Sequence, residues 1–154
     1  MNALEYEILI TEIAVEFTNN PLDKKEWKMG VRKTNRIEGF SKYKHQIDVS
    51  LECETDLVLI ECKKWKKNVT VAEYLVLLGR VLDISKIKTK RVRGALVTTK
   101  GWQSGVTTLN SAYDDFCSLF QVTEVKEIRQ RIHKAFIFGK INAGGTITGS
   151  LSIR

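Results

Sequence analysis

The sequence predicts an α/β fold in which a mixed β-sheet is flanked by helices and followed by a C-terminal β-hairpin. Three observations support this fold class. Apolar residues recur at helical spacing over residues 3–17, alternate with polar residues over 47–52, and form a compact run over 94–99. The predicted elements follow the order α-β-β-β-α-β-α-β-α, which is typical of a sheet covered by helices.

Length and composition favour one folded domain. The chain has 154 residues, of which 43% are hydrophobic and 28% are charged, with one proline. Such a chain can bury one core and is too apolar to be disordered. We therefore expect a single domain over residues 1–154, with a core over residues 4–125 and a helix and hairpin over residues 123–154.

Three features of the sequence lead us to expect a cytoplasmic location. No apolar run approaches the ~20 residues of a membrane span. The first seven residues lack the basic region of a secretory signal. The three cysteines are odd in number and lack the CxxC spacing of a zinc site, so we expect reduced thiols.

The first half of the chain is expected to contain one helix and three strands. Pro21 ends the helix over residues 3–17, because proline cannot continue it. The basic residues 22–44 are expected to form a short strand and a mobile loop. Residues 47–52 then form a half-buried strand, and residues 57–65 form a strand whose apolar first half is buried on both faces.

A capping box begins the second half of the chain. Thr70 is followed three residues later by Glu73, and Val69 can pack on Tyr74 as a hydrophobic staple. The buried residues of this second helix are expected to be Val71, Tyr74, Leu75, Leu78 and Leu82. The remaining elements are expected to be a strand over 94–99, a helix over 106–116, a strand over 117–122, a helix over 123–136 and a hairpin around 142–145.

The net charge of +7 is unevenly distributed. Residues 24–44 contain eight basic and two acidic side chains, and residues 80–100 contain seven basic and one acidic side chain. Segregated positive charge favours a polyanionic partner, because each neutralised phosphate releases counterions. A solvated basic surface with no partner is the alternative interpretation.

Charged side chains are predicted to converge where residues 47–52 and 57–65 leave the core. If a two-residue turn joins these strands, the numbers of paired residues sum to 109. Asp48 then lies opposite Glu61, and Gln46 lies opposite Lys63. A three-residue turn would offset the pairs by one position and leave the same groups at the same end.

These charges have two possible explanations, since partly buried charges are costly unless they are paired or bind a metal. In the first, Asp48 and Glu61 supply the oxygen ligands that Mg²⁺ prefers. The metal would lower the pKa of a bound water, and Lys63 would orient that water or stabilise developing charge. In the second, Lys63 forms a cross-strand salt bridge with the acids on a solvent-facing edge.

The chain resembles the PD-(D/E)xK nuclease superfamily, and within it the Mrr-type restriction endonuclease catalytic domain. The resemblance begins with HQIDV at residues 45–49 and ECK at residues 61–63. Further likeness is found in Tyr6 and Glu7 of the first helix, in GALVTT at 94–99 and in GWQSG at 101–105. Together these matches cover roughly residues 4–125, and they occur in the order that the family shows.

The resemblance implies a role for each site residue. Asp48, Glu61 and Glu7 correspond to the metal-binding acids, Lys63 corresponds to the catalytic lysine, and the backbone carbonyl of Cys62 is a further oxygen donor. Two positions depart from the common pattern. Ile47 replaces the usual proline, as in the Mrr-like branch, and Glu61 stands where many Mrr-like relatives have glutamine, which strengthens metal binding.

The function implied by the resemblance is that of a Mg²⁺-dependent endodeoxyribonuclease, with Mn²⁺ as a possible substitute. Because one site cuts one strand, a homodimer is expected, and the C-terminal hairpin could form its interface or add an intramolecular strand. The alternatives are a Holliday-junction or other structure-specific resolvase and an inactive DNA-binding module. The expected nucleic-acid contacts are Arg36, Lys42, Lys44, His45, Gln46, Lys64, Lys66 and Lys67.

Overall fold

A mixed β-sheet with helices beside it forms the centre of the computed structural model, which describes residues 2, 4–5, 8–9, 11–12, 26–31, 34–63, 66–113, 116–121 and 145–147. The named elements among these residues are β1 (Lys28–Val31), β2 (Arg36–Glu38), β3 (Lys44–Gln46), β4 (Val49–Glu52), β5 (Asp56–Lys63), α1 (Val71–Ser85), β6 (Arg91–Thr98), α2 (Ser104–Ala112), β7 (Cys117–Gln121) and β8 (Gly145–Ile147).

Antiparallel and parallel pairing meet at β5. The described strands of the main sheet have the order β1-β4-β5-β6-β7-β8. The pairs β1–β4 and β4–β5 are antiparallel, whereas β5–β6, β6–β7 and β7–β8 are parallel. Parallel neighbours need a crossover, which α1 provides between β5 and β6 and α2 provides between β6 and β7. The predicted fold class, a mixed sheet flanked by helices, is confirmed.

The β4–β5 hairpin has the predicted two-residue turn. Val49 pairs with Ile60 and Glu52 with Leu57, so paired numbers sum to 109. The turn is closed by the Cys53 N–H, which donates to the Asp56 carbonyl at 2.9 Å. Unlike the half-buried strand that alternation predicts, β4 is buried on both faces at its first three positions. On the face that alternation predicts to be polar, Asn35 covers Ser50, and its side-chain amide donates to Ser50 Oγ at 3.0 Å.

Helix α1 begins at the predicted capping box but buries a different face. The Glu73 N–H donates to Thr70 Oγ1 at 3.3 Å, and the Thr70 N–H donates to Glu73 Oε2 at 2.7 Å. Leu75 and Leu82 are 45% and 36% exposed, so their predicted burial is wrong. Because this helix is apolar on more than one face, its periodicity allows two stripes. The buried side chains are Tyr74, Leu77, Leu78, Val81 and Ile84.

Helix α2 ends at Ala112, earlier than predicted, because the chain must turn there to enter β7. A buried polar network links these elements. The Tyr74 hydroxyl donates to Asn110 Oδ1 at 2.7 Å, and Asn110 Nδ2 donates to the Cys117 carbonyl at 2.7 Å. The Cys117 N–H donates back to Asn110 Oδ1 at 3.2 Å. Asn110 therefore takes the place of a backbone partner for the start of β7.

Replacing Asn110 by alanine should destabilise the fold by about 3 kcal/mol, because the buried N–H and carbonyl of Cys117 lose their partner. Denaturant unfolding followed by circular dichroism measures this loss. Thr108→Ala, on the exposed side of the same helix, is the control and should change stability by less than ~0.5 kcal/mol. Equal stabilities for the two variants would contradict the assigned role of Asn110.

The basic segment after β1 is more regular than the predicted loop. Its strands β2 and β3 form a separate two-stranded antiparallel sheet in which Arg36 pairs with Gln46 and Glu38 pairs with Lys44. In the predicted first helix, the described positions 4–5, 8–9 and 11–12 have helical backbone.

At the other end of the chain, β8 adds a parallel strand beside β7, which matches the extra-strand alternative. The predicted hairpin residues 142–144 and the predicted helix over 123–136 lie outside the described residues. Within the described part, no helix is both long and apolar enough to cross a membrane. The three cysteine side chains are buried and form no disulfide.

Candidate functional site

Asp48 is held against β5 at the end of the β4–β5 hairpin. It lies one residue before β4, where the ladder register would place it opposite Glu61. Its Oδ2 atom accepts a hydrogen bond from the backbone N–H of Cys62 at 2.9 Å. Cys62 is the residue between Glu61 and Lys63, so this bond brings the Asp48 carboxylate to the acidic-x-lysine segment. The predicted convergence of Asp48, Glu61 and Lys63 at one end of the hairpin is confirmed.

Glu61 lies between two cations. Lys63 Nζ is 2.7 Å from Glu61 Oε1, and Arg80 Nη1 is 2.8 Å from Glu61 Oε2. Glu61 and Lys63 are two residues apart in one strand and so share a face of the sheet. That face is the one covered by α1, which carries Arg80. The Glu61 residue is only 8% exposed, which makes both of its ion pairs well shielded from water.

Gln46 does not take the predicted place opposite Lys63. The chain bends at Asp48 between β3 and β4, and the ladder with β5 ends at the pair Val49–Ile60. Gln46 instead pairs with Arg36 in the small sheet. The prediction failed because it extended one straight strand through residues that belong to two.

The Cys62 carbonyl faces the same edge of β5 as the Asp48 side chain. The Cys62 N–H points toward Asp48, and a residue's carbonyl lies on the same side of a strand as its N–H. The Cys62 carbonyl therefore also points toward this side. Among the described residues, no three His, Cys, Asp or Glu side chains cluster in a way that could hold a metal ion. Glu7 and Lys64 lie outside the described residues.

The described polar residues predicted to contact nucleic acid are mostly exposed, and we refer to the exposed ones as the basic rim. Most of them are basic and lie on the small β2–β3 sheet or in the segment after β5. The exposed residues of this rim are Arg36, Lys42, Lys44, Gln46, Lys66 and Lys67. Their contact with nucleic acid stays a prediction.

His45 lies in a clamp that joins the β2–β3 hairpin to α1. Its Nε2 atom is 2.7 Å from Asp83 Oδ2, which also accepts from Ser41 Oγ at 2.6 Å. The Ser41 N–H donates to Asp83 Oδ1 at 2.9 Å. These hydrogen bonds, from Ser41 foremost and then from His45, lower the pKa of Asp83 to about 2. The clamp fixes the basic hairpin one turn along α1 from Arg80.

The hydrogen bonds that the Asp83 carboxylate accepts from Ser41 and His45 should persist down to low pH. Because the pKa of Asp83 is lower in the folded than in the unfolded protein, its contribution to stability is complete above about pH 4 and is lost as the pH falls through about 2. The carboxyl carbon of Asp83, followed by NMR, should titrate near 2. Ser41→Ala should move that midpoint upward; a midpoint near 4 in the unmodified protein would exclude the clamp.

Arg80 and Asp83 are the two site residues that sequence reasoning missed. They lie three residues apart on α1, so they project from neighbouring positions of one face. The available signal was the presence of two charges beyond the first turn of a largely apolar helix. It did not identify their partners, Glu61 and His45, which are 19 and 38 residues away in the chain.

The Arg80–Glu61 pair should show strong energetic coupling. In a double-mutant cycle with Arg80→Ala and Glu61→Ala, we expect about 2 kcal/mol, because removal of either partner leaves a shielded charge incompletely paired. Urea unfolding of the four proteins measures the coupling. The control cycle uses Lys88 and Glu52, a more exposed pair 3.5 Å apart, for which less than ~1 kcal/mol is expected. Equal couplings would contradict this expectation.

The fold and the site define an α/β protein with two acids, a lysine and an arginine at the end of a central hairpin. No protein family and no curated protein matches the chain. Among solved structures, a protein of unknown function, AF1548, gives a TM-score of 0.58 at 14% identity, over 84% of this chain and 66% of that one. This likeness supports the fold alone.

Two further solved structures are more distant. A repair endonuclease from Pyrococcus abyssi gives a TM-score of 0.49 at 17% identity, over 73% of this chain and 46% of that one. The MspJI restriction endonuclease, in complex with a 27-mer oligonucleotide, gives 0.45 at 14% identity, over 93% of this chain and 34% of that one. The chain thus spans about two thirds or less of each of these three proteins.

Proposed function

We propose that this protein is a metal-dependent DNA endonuclease of the PD-(D/E)xK type, with Mrr-like character. One observation carries the proposal: the Asp48 carboxylate is bonded to the Cys62 N–H, between Glu61 and Lys63. A structural salt bridge would need only one acid and one base. Here two acids and two bases meet at the end of an otherwise apolar hairpin. Their partial burial costs desolvation free energy, and a catalytic role would explain why these charges are present.

The donor set suits a hard divalent cation. Asp48 and Glu61 offer carboxylate oxygens, the Cys62 carbonyl adds a neutral oxygen, and Glu7 is the predicted third acid. Oxygen ligands of this kind favour Mg²⁺, with Mn²⁺ as a substitute. When bound, such a cation lowers the pKa of a coordinated water and polarises a phosphoryl oxygen.

Lys63 and Arg80 supply the remaining chemistry in this proposal. Both cations pair with Glu61. Together with Asp48, these side chains comprise two acids and two bases and so carry no large net charge. Lys63 is 22% exposed and can turn from Glu61 toward a scissile phosphate, where its ammonium stabilises developing negative charge. Arg80 remains on α1 and holds the second Glu61 oxygen in place. Lys63 thus acts on the reacting atoms, and Arg80 is a positioning residue.

The basic rim supports DNA as the substrate. Phosphate contacts from several lysines and arginines give binding that weakens as salt concentration rises. We also propose a homodimer, because each site would cut one strand of a duplex. The proposed location is the cytoplasm.

The paired state of Glu61 favours one second candidate, a DNA-binding module without turnover. Both Glu61 oxygens already have cationic partners, so the cluster is electrostatically satisfied without a metal.

The test is cleavage of plasmid and four-way-junction DNA with Mg²⁺, with Mn²⁺ and with EDTA. We expect cutting that requires either metal and stops in EDTA. Preference for the plasmid indicates a restriction-like enzyme, and preference for the junction indicates a resolvase. DNA binding in a gel shift without cutting in either metal would reject the nuclease and favour the binding module.

A further inference from the structure

The tip of the β2–β3 hairpin exposes two aromatic rings. Phe40 and Tyr43 are 60% and 66% exposed, more than any other large apolar side chain among the described residues. The turn between them is closed by the Gly39 N–H, which donates to the Tyr43 carbonyl at 2.9 Å. Lys42 lies within this turn with a left-handed backbone, φ +70°. Exposure of both rings therefore results from a defined turn.

The tip is also attached to α1. The Phe40 N–H donates to the Asp83 carbonyl at 3.0 Å, and both Ser41 hydrogen-bond donors bind the Asp83 carboxylate. Gly39 approaches so closely that a Cβ atom there would lie 1.9 Å from Asp83 Oδ2. A support of this kind presents the two rings in a fixed position, which lowers the entropy cost of binding through them.

The surroundings of the rings are cationic. Lys86 Nζ lies 5.2 Å from the centroid of the Phe40 ring, and Lys42 and Lys44 flank Tyr43. Two acids partly balance these lysines: Glu38, which is 3.7 Å from Lys42 Nζ, and Asp83, whose carboxylate binds Ser41. Flat rings among cations match a ligand with flat apolar faces and negative charge. Nucleic-acid bases and their phosphates have this combination, whereas an apolar protein surface lacks the negative charge.

We propose that Phe40 and Tyr43 stack on unpaired DNA bases while the neighbouring lysines contact the phosphates. Paired bases within a duplex hide their faces in the stack, so the substrate class is DNA with unpaired bases, such as a fork, bubble or single-stranded flap. This inference rests on the proposed function, because it names the DNA that the nuclease site would cut.

The short chain distance between the hairpin tip and Asp48 limits how far the unpaired bases can lie from the bond that is cut. Tyr43 and Asp48 are five positions apart in the chain, so their Cα atoms are at most about 16 Å apart at about 3.3 Å per residue. Successive nucleotides of one strand are about 3.4 Å apart in a duplex. The unpaired bases should therefore lie within about five nucleotides of the bond that is cut.

The test compares binding to a duplex and to the same duplex with a central unpaired bubble, by fluorescence anisotropy in EDTA, so that no cutting occurs. The full chain should bind the bubble more tightly. The double variant F40A/Y43A should lose about ten- to a hundredfold in bubble affinity and at most about twofold in duplex affinity. F40W/Y43W should restore the preference, and Tyr113→Ala, a similarly exposed tyrosine on another element, should not change it.

The salt dependence of DNA affinity distinguishes the contribution of base stacking from that of the phosphate contacts. The slope of affinity against salt should be unchanged in F40A/Y43A, whereas Lys44→Ala should reduce it by about one. Equal loss on both DNAs, or no loss on either, overturns the inference. If the protein cuts duplex DNA and shows no preference for unpaired DNA, the proposed nuclease function stands and the stacking role of the hairpin tip is rejected. If the protein prefers bubble DNA but never cuts, the stacking role of the hairpin tip stands and the proposed nuclease function is rejected.

Discussion

Asp48→Asn should abolish cleavage while leaving the fold intact. The asparagine amide oxygen can still accept the hydrogen bond from the Cys62 N–H, so the local backbone contact survives. The negative charge that would bind the cation is lost. Since a bound metal contributes several kcal/mol of charge stabilisation, we expect the cleavage rate to fall at least about a thousandfold.

Two measurements distinguish this effect from misfolding. Thermal unfolding should be nearly unchanged, and Mn²⁺ binding followed by electron paramagnetic resonance should weaken strongly. The matched control is Glu54→Gln, which removes an exposed carboxylate from the turn at the far end of the same hairpin and should leave cutting unaffected. Loss of cutting with undiminished Mn²⁺ affinity would remove Asp48 from the proposed metal site.

Lys63→Ala should lower the single-turnover cleavage rate about 10²- to 10³-fold with little change in DNA or Mn²⁺ affinity. The reason is that a group stabilising charge only in the transition state contributes to the rate without contributing to ground-state binding. Glu61 keeps its contact with Arg80 in this variant, so the carboxylate does not become an unpaired buried charge.

The control for Lys63 is Lys88→Ala, a lysine that pairs with Glu52 and lies away from the site residues in the sheet. It should retain nearly full activity. If Lys63→Ala reduces DNA affinity and cleavage by the same factor, Lys63 is a phosphate contact. If it reduces neither, a purely structural salt bridge within β5 is the better explanation of its pairing with Glu61.

Much of the local structure could be predicted from the sequence. The register of the β4–β5 hairpin follows from a two-residue turn and from period-two alternation, and both depend on neighbouring residues only. The capping box at Thr70 and Glu73 is likewise a contact over three residues. The same reasoning placed Asp48, Glu61 and Lys63 together, because one hairpin carries all three.

Contacts between distant elements were not predictable in this way. The buried face of α1 was misassigned because several stripes of that helix are apolar, and only the sheet beneath selects Leu77 over Leu75. Arg80 and Asp83 acquire their partners through the packing of α1 against β5 and the β2–β3 hairpin. The bend at Asp48 moved Gln46 into another sheet.

The sequence by itself thus determined the hairpin, its register and the acidic-x-lysine segment, since short-range hydrogen bonding and side-chain alternation specify them. The tertiary structure decided which further charges reach that segment and where the aromatic tip is held. Those features depend on how whole elements pack, and packing is a property of the complete core that no local pattern encodes.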